Sequence, residues 1–361
     1  MRHHIERSNF SKILNLFVSK RSGIFGLFLA LGLVTTLGLG TLINFQPAIG
    51  QSNAEITLVS YAVTKAAYAK IIPKFVEKWK KETGQTIRIR ESYGGSGSQT
   101  RAVIDGLEAD ITNLAIAADT NRLQTAGLVN AGWEKKLPNN SIVTNSVVVL
   151  ATRTGNPKNI KTWADLAKPG IKVITANPKT SGVARWNFLA LWGSVSEAGG
   201  NKTQAQEFVT NVFRNVPVLP RDAREATDAF LKQRQGDVLL NYENELLLAA
   251  QAGKPSTFVI PPLNISIDTP IALVDKYVDK HGTRKVSEAF AQYLFTAEAQ
   301  REFAKTGFRP VNAQVAKEFA NKYRKIDKLY KVDKFGGWNA ANTKFFAEGA
   351  IFDRIQRAIR R

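Results

Sequence analysis

The sequence predicts an α/β protein built from two lobes. Apolar stretches typical of strands alternate with amphipathic stretches typical of helices, as they do in parallel α/β sheets. With 361 residues and 44% hydrophobic composition, the chain is long enough for two lobes of ordinary domain size. The alternation restarts after a long apolar strand near residue 147, SIVTNSVVVLATR, where we expect the chain to cross between lobes.

The first lobe begins with the strand EITLVSYA and the helix TKAAYAKIIPKFVEKWKKETG. Pro73 predicts a kink or interruption of this helix, and Gly84 predicts its end. The alternating pattern of TIRIRES predicts a second strand, a helix then runs through Leu107, and ADITNLAIA predicts a third strand.

The second lobe repeats the pattern. IKVITA and DVLLNYE predict strands, and VARWNFLALWGSV and REATDAFLKQRQ predict helices. TPIALVDKY and the helix SEAFAQYLF follow, and the tail is mostly helical. We expect residues 54–142 with 263–314 to form lobe 1, residues 143–262 to form lobe 2, and residues 315–361 to be a C-terminal helical segment that packs on the lobes.

Residues 1–50 have the pattern of an export signal. Basic residues precede an uncharged run at residues 23–43, and the small-residue pattern Ala48-Ile49-Gly50 follows it. We therefore expect a signal peptide that is cleaved near Gln51 and a periplasmic location for the mature chain. The run is also long enough for an uncleaved membrane anchor, which is the alternative.

The chain is strongly basic, with a formal net charge of +20, of which +16 lies outside residues 1–50. The basic residues are spread along amphipathic helices, and no aromatic-interleaved nucleic-acid module is visible. We therefore expect no nucleic-acid partner. The charge acts instead as a general field that enriches anions near the surface.

The residues that catalysis most often needs are scarce. The absence of cysteine excludes disulfides and thiolate chemistry, and His281, in the polar turn DKHGT, is the one histidine after residue 50. We interpret His281 as a surface residue. Glu243 and Glu245 share one face of a predicted strand end, but no other reactive group converges on them. We expect no cofactor, no metal and no enzymatic activity.

Two turns combine glycine with polar residues between a strand and a helix. They are ESYGGSGSQ at residues 91–99 and NPKTSGVA at residues 177–184. Each is either a simple turn or an anion cradle, in which bare backbone lets a ligand approach N–H groups at a helix start. Ser96 with Gln99, and Asp222 with Glu225, also match the capping-box spacing at helix starts.

Four segments carry a resemblance to a known family: SYGGSGSQ, NPKTSGVARWNFLALWGS, DAREATDAFLKQRQGDVLLNYENE and GFRPV. In this order they resemble the prokaryotic sulfate-binding proteins, the soluble receptors of sulfate and thiosulfate ABC importers, and the similarity runs from about Glu55 to Phe352. The resemblance implies a two-lobe periplasmic binding protein of type II that closes on one sulfate in the cleft between its lobes. It also implies a monomer that delivers sulfate to membrane permease subunits.

The resemblance implies six sulfate contacts, all from neutral donors. Ser96 supplies an N–H group and a hydroxyl, and Tyr242 stands where the family has an indole N–H. Val183 stands where a glycine is common and keeps its N–H group. Backbone N–H groups complete the set, which is Ala62, Ser96, Gly182, Val183, Ala223 and Tyr242.

Three questions stay open from the sequence. Arg224 is the nearest obvious cation, and it either braces the site from outside or lies on the surface. The ligand is sulfate or, alternatively, thiosulfate, molybdate or another tetrahedral oxyanion. The alternative from a different class is an exported enzyme that acts on sulfate or phosphate esters, against which the scarcity of histidine and cysteine counts.

Overall fold

The structure is a computed structural model that describes residues 53–254 and 257–359. The signal peptide predicted over residues 1–50 and its cleavage near Gln51 lie outside the described residues. None of the helices within the described ranges is both long and apolar enough to cross a membrane.

The strands of the described residues form two main sheets, one in each lobe. In chain order the strands are β1 (Ala54–Tyr61), β2 (Ile87–Gly94), β3 (Ile111–Asn113), β4 (Ile142–Ser146), β5 (Val148–Thr152), β6 (Val173–Ile174), β7 (Val238–Tyr242), β8 (Thr257–Val259), β9 (Leu263–Ile265), β10 (Ile267–Leu273), β11 (Arg309–Pro310) and β12 (Lys328–Tyr330). The larger sheet has the order β11-β4-β10-β3-β1-β2, and the smaller has the order β6-β7-β5-β8. The strands β12 and β9 form a separate pair.

Helices connect these strands and cover the sheets. Within the described residues they are α1 (Lys65–Thr83), α2 (Ser96–Ile104), α3 (Ala117–Thr125), α4 (Gly182–Ser196), α5 (Lys202–Arg214), α6 (Ala223–Leu231), α7 (Glu243–Gln251), α8 (Asp275–His281), α9 (Arg284–Tyr293), α10 (Ala297–Lys305), α11 (Ala313–Glu318), α12 (Gly337–Ala341) and α13 (Ile351–Ile359). The predicted α/β class is confirmed. The limits predicted for the lobes stay a prediction.

The larger sheet is mixed rather than wholly parallel. Strand β1 lies between β2 and β3 and is parallel to both, with α1 and α2 as the crossover helices. Strand β10 is antiparallel to both of its neighbours, β3 and β4. The carboxyl ends of β1, β2 and β3 meet at one edge of the sheet, which is where open α/β sheets bind ligands.

The long strand predicted near residue 147 is two strands in two sheets. Strand β4 belongs to the larger sheet and β5 to the smaller, so the chain passes from one sheet to the other at Val147. A second crossing segment runs alongside. Asn264 ties the two together, since its Oδ1 accepts from the N–H of Val148 at 3.3 Å and its Nδ2 donates to the Val148 carbonyl at 2.8 Å.

Helix α1 continues through Pro73, so the predicted interruption does not occur. The helix buries one apolar face, including Tyr68, Phe75 and Trp79, and this burial offsets the hydrogen bond that proline removes. Gly84 ends the helix in the left-handed conformation, with φ of 74°. The predicted stop is therefore confirmed.

The C-terminal segment builds an aromatic core with α4. Phe188 of α4 contacts Phe345, Phe346 and Phe352, with ring centroids 5.3–6.2 Å apart. Trp338 meets Trp186 edge to face at 4.5 Å. These contacts hold α4, and with it the turn at residues 177–181 that precedes it.

Candidate functional site

A small cavity lies at the carboxyl ends of the strands, between the two sheets. Its cavity volume is about 10 Å³. That is less than the roughly 300–1,000 Å³ typical of pockets for drug-sized ligands, so its size suits a small ion. The lining residues are Tyr61, Ala62, Val63, Gly94, Gly95, Ser96, Ala115, Ser181, Gly182, Val183, Asp222, Ala223 and Tyr242. All six residues predicted as ligand contacts line this cavity.

Four helices begin at the cavity wall. Helix α2 begins at Ser96, α4 at Gly182 and α6 at Ala223, and a 3₁₀ turn from Ala62 leads into α1. The first N–H groups of a helix have no acceptor within the helix and carry partial positive charge. No side chain caps the starts of α2 and α4. The arrangement therefore offers convergent neutral donors to an anion.

Glycines let the two polar turns approach each other. A Cβ atom at Gly182 would lie 2.5 Å from the Cβ of Ala115, and one at Gly95 would lie 2.6 Å from the carbonyl oxygen of Thr180. The Gly97 N–H donates to the same carbonyl at 3.1 Å. Bare backbone is thus needed for contact between the lobes as well as for the cavity.

The hydroxyl of Ser96 is directed away from helix α2. It donates to Asp119 Oδ2 at 2.6 Å and accepts from the Ala115 N–H at 3.0 Å. The capping box predicted for Ser96 and Gln99 is wrong, because the N-cap is Gly95 and the Gln99 amide bonds Ser92 instead. The Ser96 N–H group remains at the cavity, whereas its hydroxyl donates its hydrogen bond to Asp119.

Asp222 caps helix α6 as predicted. Its Oδ1 accepts from the N–H of Glu225 at 3.0 Å. The side chain of Glu225 does not complete the reciprocal half of a capping box with Asp222, because its Oε2 accepts from the Arg221 N–H at 2.6 Å. Asp222 therefore places one carboxylate beside the cavity while holding the α6 start in position.

The hydroxyl of Tyr242 is buried and without a hydrogen-bond partner among the described residues. Tyr242 is 1% exposed, and its ring meets Tyr61 edge to face at 6.0 Å. Burial raises the pKa of this phenol well above its ordinary value. The hydroxyl therefore stays protonated, on a residue that lines the cavity.

Comparison with known proteins identifies the family. The family model for "Bacterial extracellular solute-binding protein" matches residues 56–309. This chain belongs to that family. It is 57% identical to the "Sulfate-binding protein" of Synechococcus elongatus over 88% of this chain and 91% of the relative, and 40% identical to the "Thiosulfate-binding protein" of Pseudomonas aeruginosa over 82% and 90%. The solved sulfate-binding protein SubI from Mycobacterium tuberculosis has a TM-score of 0.75 at 38% identity, covering 81% of this chain and 99% of its own.

Membership in the solute-binding family confirms the resemblance drawn from the sequence and the two-lobe architecture. It also makes the chain a binding protein rather than an enzyme.

The two glutamates of NYENE occupy separate ion pairs. The strand end predicted there is wrong, because α7 begins at Glu243. Glu243 pairs with Arg309, and Arg224 Nη2 lies 2.8 Å from Glu245 Oε1, without the alignment of a hydrogen bond. Burial raises the pKa of the Glu245 carboxyl, and Arg224 opposes this shift.

Arg224 does not line the cavity. It is half-exposed and faces a buried carboxylate behind the wall.

His281 ends α8 rather than lying in a turn, and it is not at the cavity. Its ring nitrogens lie 3.0 Å from Asp110 and 2.8 Å from Glu108. Burial lowers the pKa of His281, but the hydrogen bonds to these two carboxylates outweigh it and raise the pKa.

Several lining residues were missed from the sequence. Ser181 is the N-cap of α4, yet its side chain does not cap that helix, so its hydroxyl is available at the cavity. Its position just before a glycine at a helix start was a usable signal. Tyr61 and Ala115 carry no such signal, because they are ordinary apolar positions at or beyond strand ends.

Proposed function

We propose that the cavity binds sulfate and that the protein delivers it to an ABC importer. The observation that carries the proposal is the buried Tyr242 hydroxyl, which has no partner among the described residues and belongs to a residue that lines a small cavity where three α-helices and a 3₁₀ turn begin. The printed names of the relatives support an oxyanion of sulfur as the ligand.

Each predicted contact has a definite role in this proposal. Backbone N–H groups of Ala62, Ser96, Gly182, Val183 and Ala223 donate to the oxygens. The hydroxyls of Tyr242 and Ser181 complete the donor set. Arg224 acts from behind the wall, where it offsets the negative charge of Glu245.

No lysine or arginine lines the cavity, so the dianion is held by dipoles rather than by a counter-ion. Sulfate carries no proton at neutral pH and accepts at every oxygen, which matches the N–H and O–H donors proposed as its contacts. The Asp222 carboxylate also lines the cavity, but it caps α6 and is not one of these contacts. Phosphate carries at least one proton and needs an acceptor, and sites with fixed hydrogen-bond polarity reject such analogues strongly.

The partner and location follow from the same proposal. The receptor acts as a monomer in the periplasm after export by residues 1–50, and it passes sulfate to membrane permease subunits. Residues 54–142 with 263–314 form lobe 1, residues 143–262 form lobe 2, and residues 315–361 pack on them. The exception is the rest of β4 (Ile142–Ser146), which belongs to the larger sheet of lobe 1.

Calorimetric titration of the purified protein with sulfate, thiosulfate, molybdate and phosphate tests the ligand. We expect tight binding of sulfate and much weaker binding of phosphate. Thiosulfate is the second candidate, because a thiosulfate-binding relative is 40% identical. Binding of none of the four anions would refute the proposal, and phosphate binding within tenfold of sulfate would refute the donor-only account.

A further inference from the structure

The motif GFRPV, residues 307–311, lies outside the cavity but contacts the residues that follow Tyr242. Arg309 is in β11 of the larger sheet, whereas Glu243 follows β7 of the smaller sheet. Arg309 Nε donates to Glu243 Oε2 at 2.6 Å, and Nη2 donates to Oε1 at 2.9 Å. The Glu243 side chain is 2% exposed. A buried bidentate pair of this kind fixes orientation as well as distance.

Gly307 packs against Asn244, the residue that follows Glu243. Its φ of +100° lies in the left-handed region, and a Cβ there would come within 2.9 Å of the Asn244 carbonyl oxygen. Glycine is thus required for both conformation and space. Two successive residues after Tyr242 are therefore held by one short segment of the larger sheet.

The contacts of Arg309 and Gly307 with the start of α7 lie where the chain passes between the two sheets. The Glu243 N–H donates to the carbonyl of Val147, the residue where the chain passes from β4 to β5, at 3.0 Å. Arg309 is itself anchored, since Nη2 also donates to the Arg324 carbonyl at 2.9 Å. The start of α7 is consequently fixed to both sheets where the chain passes between them.

We propose that Arg309 is a positioning residue that acts through Glu243 to hold the Tyr242 hydroxyl in the cavity. That hydroxyl has no hydrogen bond of its own among the described residues, so its direction depends on the backbone at the β7–α7 junction. The proposal rests on the proposed function, because Tyr242 matters only if the cavity binds an oxyanion.

A double-mutant cycle tests whether Arg309 acts through Tyr242. We expect Arg309→Met to lower sulfate affinity about tenfold, and to have less than about a twofold effect when Tyr242→Phe is already present. Arg309→Lys keeps the charge but loses the fork, and should fall between. Arg301→Met is the matched control, since Arg301 forms a bidentate pair with Glu318 at 2.7 Å and 2.7 Å on the protein surface, and it should bind like the wild type. A folded Arg309→Met with wild-type affinity, or with its full effect in the Tyr242→Phe background, would overturn the proposal.

A readout without ligand separates this proposal from the function itself. With 3-fluorotyrosine at position 242, the fluorine resonance should shift in Arg309→Met and stay in place in Arg301→Met. If Arg309→Met does not fold, Glu243→Gln breaks the same charge pair and carries the same expectations. If the wild type binds no oxyanion, the proposed function fails, and an unchanged fluorine resonance in the variants would refute the positioning role independently.

Discussion

Single residues decide whether the cavity can form. Among the glycines that line it, Gly182 leaves the least room for a side chain. It is the first residue of α4, and its missing Cβ leaves room for Ala115 from the other side of the cleft. A side chain of any size there would separate the two surfaces that carry the N–H donors.

We expect Gly182→Ala to weaken sulfate binding while the chain still folds. Overpacking of this kind costs about 1–3 kcal/mol, roughly fivefold to a hundredfold in affinity, and we expect the cost to fall on the closed form, in which Ala115 is near. Adding Ala115→Gly should restore much of the affinity, because it removes the opposing methyl group. Calorimetry measures both variants, and a double variant no better than Gly182→Ala would contradict the steric account.

Tyr242→Phe should separate binding from stability. The variant loses a hydroxyl donor to a charged acceptor, worth about 1.5–3 kcal/mol, so affinity should fall by roughly tenfold to a hundredfold. The ligand-free protein should be as stable as the wild type or more so, because a buried hydroxyl without a partner is removed. Titration and thermal melting measure the two effects, and unchanged affinity would remove Tyr242 from the site.

The six predicted contacts line the cavity, but they came from the resemblance to a known family, and local glycine-rich turns marked only the segments around Ser96 and Gly182. What the side chains do could not be predicted from the sequence. The Ser96 hydroxyl binds Asp119, which lies 23 positions away in the chain, and no local pattern indicates that contact.

Among the helices and strands, too, features set by short sequence patterns were predicted, and features set by contacts between distant residues were not. The alternation of strands and helices, the end of α1 at Gly84 and the cap of α6 follow from short patterns. The break at Val147 does not, because residues 147–151 form an uninterrupted buried apolar run. The helix start at Glu243 was also missed, since its buried carboxylate depends on an arginine 66 positions away.

The cap of α6 yields a prediction about charge. Asn caps helices about as well as Asp, whereas Ala costs about 1 kcal/mol of stability. Asp222→Asn should therefore melt like the wild type and Asp222→Ala at a lower temperature. Asp222→Asn should also bind sulfate more tightly, roughly fivefold, because removal of a like charge from the cavity lining is worth about 1 kcal/mol. Weaker sulfate binding by Asp222→Asn would show that its carboxylate does not oppose the ligand.

Across the whole molecule, a buried ion pair links the elements on the two sides of the cleft. Arg185 of α4 lies 3.3 Å from Asp119 of α3, and the two side chains are 8% and 0% exposed. Trp186 adds a hydrogen bond from Nε1 to the Ala115 carbonyl at 2.9 Å. We expect these contacts to form only when the lobes close, so that they contribute to ligand affinity without contact with the ligand.

We expect Arg185→Met to shift the protein towards an open form. The change leaves the more distant Arg122 as the basic partner of the buried Asp119 carboxylate. Breaking a buried ion pair costs about 3–5 kcal/mol. Part of this cost applies only to the closed form, and that part should lower sulfate affinity by roughly a hundredfold. Arg122→Met is the control, because Arg122 lies 3.8 Å from the same carboxylate but on the same helix and is 37% exposed. It should change affinity by less than about threefold, as exposed pairs contribute little. Small-angle scattering should give the ligand-free Arg185→Met protein a larger radius of gyration than Arg122→Met, and saturating sulfate should bring the two together. Equal radii and equal affinities in the two variants would mean that closure does not depend on the pair between Arg185 and Asp119.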